Sequence, residues 1–123
     1  MRKPLVSSVG LLLFTFSLWA VVQQQDVPLE ELLQNSEQYD GQAVSVVGTI
    51  QNYRERVSRA GNAYTTFRLE AEGVSVNVFI WGHQGLSNGQ KVRVQGIYQR
   101  VKRVGRYTFY NEIEAWRIQI LRQ

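Results

Sequence analysis

The chain has no cysteine, one histidine, one methionine and two prolines. Lack of cysteine excludes disulfides, thiolate metal sites, a cysteine nucleophile and anchoring through a lipidated cysteine. It does not fix the compartment, because an exported protein needs no disulfide. The lone histidine, His83, sits in the glycine-flanked stretch Trp81-Gly-His-Gln-Gly85 with no metal-ligand companions nearby in sequence. A Walker loop, a dinucleotide fingerprint and a serine elbow are also missing. The i, i+2 pairs Glu70/Glu72 and Glu112/Glu114 could do acid–base work, but no nucleophile accompanies them. They read as solvent-facing strand positions. The expectation is a protein without catalysis, cofactor or metal.

At 123 residues the chain holds one domain, and 44% apolar and 11% aromatic residues suit a folded one. The net charge of +4 is unevenly spread. Asp26, Glu30, Glu31, Glu37 and Asp40 gather ahead of residue 41, and bases dominate after it. A basic body of this kind attracts polyanions such as nucleic acid, anionic lipid head groups or acidic glycans.

Arg2 and Lys3 precede an uncharged run from Leu5 to Val22. A short positive region before an apolar run is the pattern of an export signal, with the positive end left on the cytoplasmic side. Cleavage after Ala20 places Leu18 where a small residue is preferred, which argues for retention. The run also approaches the ~20 residues of a membrane-spanning helix. Residues 1–25 are therefore expected to be a signal peptide or membrane anchor with its linker, and 26–123 the folded domain. This places the domain outside the cytoplasm, in the periplasm, free or anchored to the inner membrane through 5–22.

Pro28 opens a short amphipathic helix in which Leu29, Leu32 and Leu33 share one face. Five strand-like runs follow. Val44, Val46 and Ile50 mark the first, with Gly48 as a bulge or close-packing point. Tyr64 to Glu70 is the second; Thr65, Phe67 and Leu69 alternate there with Tyr64, Thr66 and Arg68. Val74 to Trp81 is the third, with its β-branched set turned inward and Phe79 and Trp81 outward. Glu72-Gly73 joins the second and third as a tight hairpin. Lys91 to Arg100 is the fourth and Arg106 to Ile120 the fifth. Gly96 is a further bulge candidate, and a phase change between Ala115 and Trp116 signals a bulge in the last strand or the end of its pairing. The expected fold is all-β: a five-stranded Greek-key barrel behind an apolar N-terminal helix and the short amphipathic helix.

Two basic segments are expected as loops at one end of this barrel. The first carries Arg54, Arg56 and Arg59, and the second Arg100, Lys102, Arg103 and Arg106. Their donors suit phosphates. Tyr64, Arg68, Phe79 and Trp81 share the outward face between them, and rings beside positive charge are what a single-stranded nucleic acid needs. Tyr107, Phe109 and Tyr110 read as core and cross-strand packing.

The stretches Gly41-Gln-Ala-Val-Ser-Val-Val-Gly-Thr-Ile50, Gly61-Asn-Ala-Tyr-Thr-Thr-Phe-Arg-Leu69 and Leu86-Ser-Asn-Gly-Gln-Lys-Val-Arg-Val-Gln-Gly96 resemble the bacterial OB-fold nucleic-acid-binding domain of the anticodon-binding type and its small envelope versions. The resemblance covers roughly residues 39 to 118. It implies an OB barrel binding single-stranded nucleic acid or another anionic polymer; ligand identity does not follow from the fold. The periplasmic haem chaperones also pair an anchor with an OB barrel, but their haem-attaching His-x-x-x-Tyr is absent: Ser87 stands where the tyrosine belongs after His83. An envelope adaptor using the same face for a protein, glycan or lipid head group is the alternative expectation. Fusing residues 1–30 to a reporter active only outside the cytoplasm should give an active reporter; activity confined to a cytoplasmic reporter would remove the export claim.

Overall fold

A computed structural model describes residues 24–122. The run 5–22, expected as an apolar helix, lies outside them. No helix among the described residues is long and apolar enough to cross a membrane.

The short helix expected after Pro28 is present. Helix α1 spans Leu29–Gln34, with Glu30 and Glu31 in the first turn, where the helix dipole favours negative charge. The expected single helix is in fact two, because Asn35 leaves helical geometry (φ −116°, ψ 38°) and a second short helix, α2, covers Ser36–Tyr39. The Asn35 side chain donates back to the Glu31 carbonyl at 2.9 Å, a local bond that competes with helix continuation. Leu29 and Leu32 are buried within the barrel's own hydrophobic cluster, so α1 plugs the core and leaves the β2–β3 outer face open.

The strands are β1 (Ala43–Val57), β2 (Ala63–Ala71), β3 (Val74–Trp81), β4 (Lys91–Val104) and β5 (Tyr107–Ile120). They close into a barrel in the order β1-β2-β3-β5-β4. All pairings are antiparallel except β3 with β5, where Asn77, Val78 and Phe79 lie beside Glu112, Ile113 and Glu114. Period-two alternation places the core as expected: Thr65, Phe67 and Leu69 of β2 and Val76, Val78 and Ile80 of β3 are buried, while Asn77 and Trp81 are exposed. The β2–β3 turn has Glu72 at φ 51° and Gly73 at φ 84°, the two positive values that a tight hairpin of this twist requires.

The bulge at Trp116 is present. Gln95 pairs with Arg117 and Gly96 with Ala115, which leaves Trp116 unpaired. Gly48 is a close-packing point and not a bulge: it pairs regularly with Val92, and a Cβ there would stand 2.8 Å from the Glu70 carbonyl oxygen and from Leu69 Cγ. The irregularity of β1 falls later, between Gln51 and Arg54, with Asn52 at φ 55°.

Both basic segments differ from the expectation. Arg54 and Arg56 belong to β1, and Arg100, Lys102 and Arg103 to β4. Strand pairing continues through Arg56↔Tyr64 and Val57↔Ala63 in one hairpin, and through Lys102↔Phe109 and Val104↔Tyr107 in the other. Val57, Val101, Val104 and the aromatic residues of β5 favour extended pairing, and exposed arginines do not oppose it. The loops shrink to the turn carrying Arg59 and to Gly105-Arg106. What was expected as two loops is two strand arms that extend beyond the closed barrel.

The linker is fastened to the barrel. The Val27 amide donates to the Ser45 carbonyl at 2.8 Å, and Arg93 forms a forked pair with Asp26. The Arg93 hydrogen bond, aided by Ser45, holds the Asp26 carboxyl below the ordinary carboxylate range despite partial burial.

Two substitutions test this packing by equilibrium urea unfolding. Leu32→Ala should cost about 2–5 kcal/mol, as for any large buried aliphatic side chain. Gly96→Ala should cost about 1–3 kcal/mol from overpacking, because its Cβ would lie 2.3 Å from the Glu114 carbonyl oxygen. A neutral Leu32→Ala would contradict the plug.

Candidate nucleic-acid interface

The outer face of β2 and β3 carries a ring cluster. Tyr64 stacks on Phe79 with centroids 5.3 Å apart, and Trp81 meets Phe79 edge-on at 4.9 Å. Each ring follows from strand alternation: Tyr64 pairs with Trp81 and Thr66 with Phe79, so all four side chains project from one face. The β4–β5 arm brings Tyr107 and Phe109 against this cluster, and the β1–β2 arm brings Arg56 and Ser58. Together they bound a groove of about 590 Å³.

Lys102 organises the groove. Its ammonium donates to Glu112 Oε2 at 2.8 Å and to Glu114 Oε1 at 3.3 Å, and stands 4.7 Å above the centroid of Phe79. Burial lowers the lysine pKa, but the hydrogen bond and charge of Glu112, with those of Glu114, outweigh this and hold it above the ordinary lysine value. The acidic pair expected to face solvent is therefore split. Glu112 is a buried partner of Lys102 and Glu114 a half-exposed one. Lys102, expected as a phosphate contact, spends its donors on these carboxylates. Phe79, expected as a stacking platform, has its face covered by Lys102.

The remaining expected residues fall into five places. Arg54 and Arg56 lie opposite Thr66 and Tyr64, which both line the groove, so they stand on its rim. Arg59 and Arg106 occupy the two arm tips, with Arg106 5.8 Å from the centroid of Tyr107. Arg100 stands at the root of the β4–β5 arm, where its amide donates to Asp40. Arg103 alternates with Lys102 and Val104, so it points to the reverse of the arm, away from the groove. Arg68 flanks an adjoining depression that shares Thr66, Phe109 and Glu112 with the groove. Among the described residues, none of these arginines forms an ion pair with an acid.

Sequence reasoning missed Tyr107 and Phe109. They are 59% and 42% exposed, so they are available rings and not core. The signal was present: aromatic residues next to a basic Gly-Arg turn. His83 has a structural role. It hydrogen-bonds the Arg56 carbonyl at 2.8 Å, and its neighbour Gly85 donates to Glu55 at 2.9 Å. The Tyr53 hydroxyl and then the Gly85 amide hold Glu55 below the ordinary carboxylate range. This stretch braces the β1–β2 arm from behind. No group of acidic or histidine side chains suited to a metal occurs among the described residues.

No family model matches this chain, and no curated protein matches it. Among solved structures, the fold is similar to a crystal structure described as an aspartyl-tRNA synthetase from Leishmania major Friedlin. The TM-score is 0.62 at 12% identity, covering 80% of this chain and 21% of that one. At that identity the likeness shows the fold alone, an OB-like all-β barrel, and this chain spans about a fifth of the neighbour's length.

Lys102→Met should destabilise the fold at neutral pH by about 3–5 kcal/mol, because the buried Glu112 carboxylate loses its partner. The folded-state lysine pKa is raised, so its stabilisation is complete below the unfolded value of 10.5 and is lost as pH rises through the folded value. The stability gap between wild type and variant should therefore close in strongly alkaline solution and stay constant between pH 7 and 9. A gap that stays open above the lysine range would show that packing, not charge, is what Lys102 supplies.

Proposed function

We propose that this chain binds single-stranded nucleic acid, without catalysis, through the groove on its β2–β3 face. The observation that carries the reading is the coincidence of two features. Exposed rings of Trp81 and Tyr107 line a groove between two strand arms, and unpaired arginines stand on its rim. Bases stack on such rings regardless of sequence, and phosphates run along the cationic rim. The barrel order and the use of the β2–β3 face agree with oligonucleotide binding by OB-type barrels. The similar solved structure carries the name of a tRNA synthetase, and a polynucleotide ligand agrees with that likeness.

The protein in this reading is exported, in the periplasm or held at the inner membrane. Support for that comes from Arg2-Lys3 ahead of the uncharged run Leu5 to Val22.

Titration of residues 24–123 with a mixed-sequence single strand over a range of salt tests the reading. Affinity should fall with salt at about −0.7 log units per phosphate neutralised. Arg54→Ala with Arg56→Ala should flatten that slope by about 1.4, the loss of two phosphates. Arg103→Ala, on the reverse of the arm, should leave it unchanged. Trp81→Ala should weaken binding by about 1–3 kcal/mol with little change in slope, because stacking releases few ions. If no binding appears at low salt, or these variants all behave as wild type, an envelope adaptor that uses the groove for a protein, glycan or lipid head group becomes the leading reading.

A further inference from the structure

Resting on the reading above, we propose that Glu114 makes the groove selective for bases that carry an exocyclic amino group, cytosine foremost, over thymine and uracil. Glu114 lies beside Phe79 in the parallel β3–β5 pairing, two residues along from Trp81, and lines the same groove. Its side chain is 44% exposed. One carboxylate oxygen, Oε1, faces Lys102 at 3.3 Å; Oε2 makes no hydrogen bond among the described residues. A base stacked on Trp81, two residues from the Phe79 that Glu114 pairs with, therefore shares the groove with a charged acceptor.

The charges of the groove are sorted in space. Glu112 and Glu114 lie on its floor and Arg54 and Arg56 on its rim. Carboxylates on the floor repel phosphate, so the sugar–phosphate chain follows the rim and the base points inward. In a single strand the Watson–Crick edge is free to be read. Cytosine offers its N4 amino hydrogens there, the donor that a carboxylate accepts. Thymine and uracil present carbonyl oxygens on both sides of a single N–H, and those oxygens face the same negative charge. Lys102 holds Glu112 and the near side of Glu114 in place, so the free oxygen is fixed before a ligand arrives.

The experiment compares oligo-deoxycytidine and oligo-deoxythymidine of equal length at neutral pH and constant salt, using residues 24–123 and the Glu114→Gln variant. Wild type should bind the cytidine strand about tenfold more tightly, the scale of one hydrogen bond to a charged group. Glu114→Gln should erase the preference by strengthening thymidine binding as well as weakening cytidine binding, because the amide can donate to a thymine carbonyl. The substituted side chain is half-exposed, and a thermal melt of the variant would show that the fold is retained. Equal wild-type affinity for both strands overturns the selectivity and leaves nucleic-acid binding intact. A preference that survives in Glu114→Gln overturns the role of Glu114. Binding of neither strand overturns the reading beneath it.

Discussion

A single ammonium group decides the shape of this surface. Lys102 leaves the β4–β5 arm, crosses the face of Phe79 and ends between Glu112 and Glu114. Without that bond the arm would be a two-stranded ribbon extending past the barrel, and such ribbons are marginal alone in water. With it the arm is tied back to the strand pair that closes the barrel, since Glu112 and Glu114 are the β5 residues beside Asn77 and Phe79 of β3. A buried pair of this kind is weak evidence for stability, because desolvation opposes the attraction. Its contribution is positional: it sets where Tyr107 and Phe109 stand relative to Trp81.

The second consequence is a division of labour among charges that composition hides. The chain is basic overall, yet the floor of the groove has two carboxylates for one ammonium, and the free cations stand on the rim and at the arm tips. In the proposed function, attraction of a polyanion and recognition of its bases thereby fall to different residues. The bracing of the β1–β2 arm, by Gly85 and Tyr53 through Glu55 and by His83 through the Arg56 carbonyl, serves the same end, since it holds Arg54 and Arg56 on the rim.

Much of the barrel was legible in the sequence because its rules are local. Alternation in β2 and β3 gives the buried and exposed faces residue by residue, and the phase change at Trp116 marks a bulge. The arms were not legible. Arginines at 54, 56, 100 and 103 look like loop residues, but a strand with a paired neighbour tolerates exposed charge, and the pairing of Lys102 with Phe109 is a long-range fact. The burial of Glu112 was hidden for a related reason. In β5, Asn111 takes φ 50°, and the local change of twist sets Glu112 where Lys102 can reach it. Nothing in the alternation of Tyr107 to Glu114 announces that.

The central claim is that ligand contacts are confined to the groove between the two arms. Backbone amide NMR of isotope-labelled 24–123, recorded as a mixed-sequence single strand is added, tests it directly. The account predicts shifts clustered at Arg54–Arg56, Tyr64–Thr66, Phe79–Trp81 and Tyr107–Phe109, with Arg93, Trp116 and the α1 plug unmoved. Shifts centred on the Asp26–Arg93–Trp116 side, or spread evenly over the surface arginines, would contradict it.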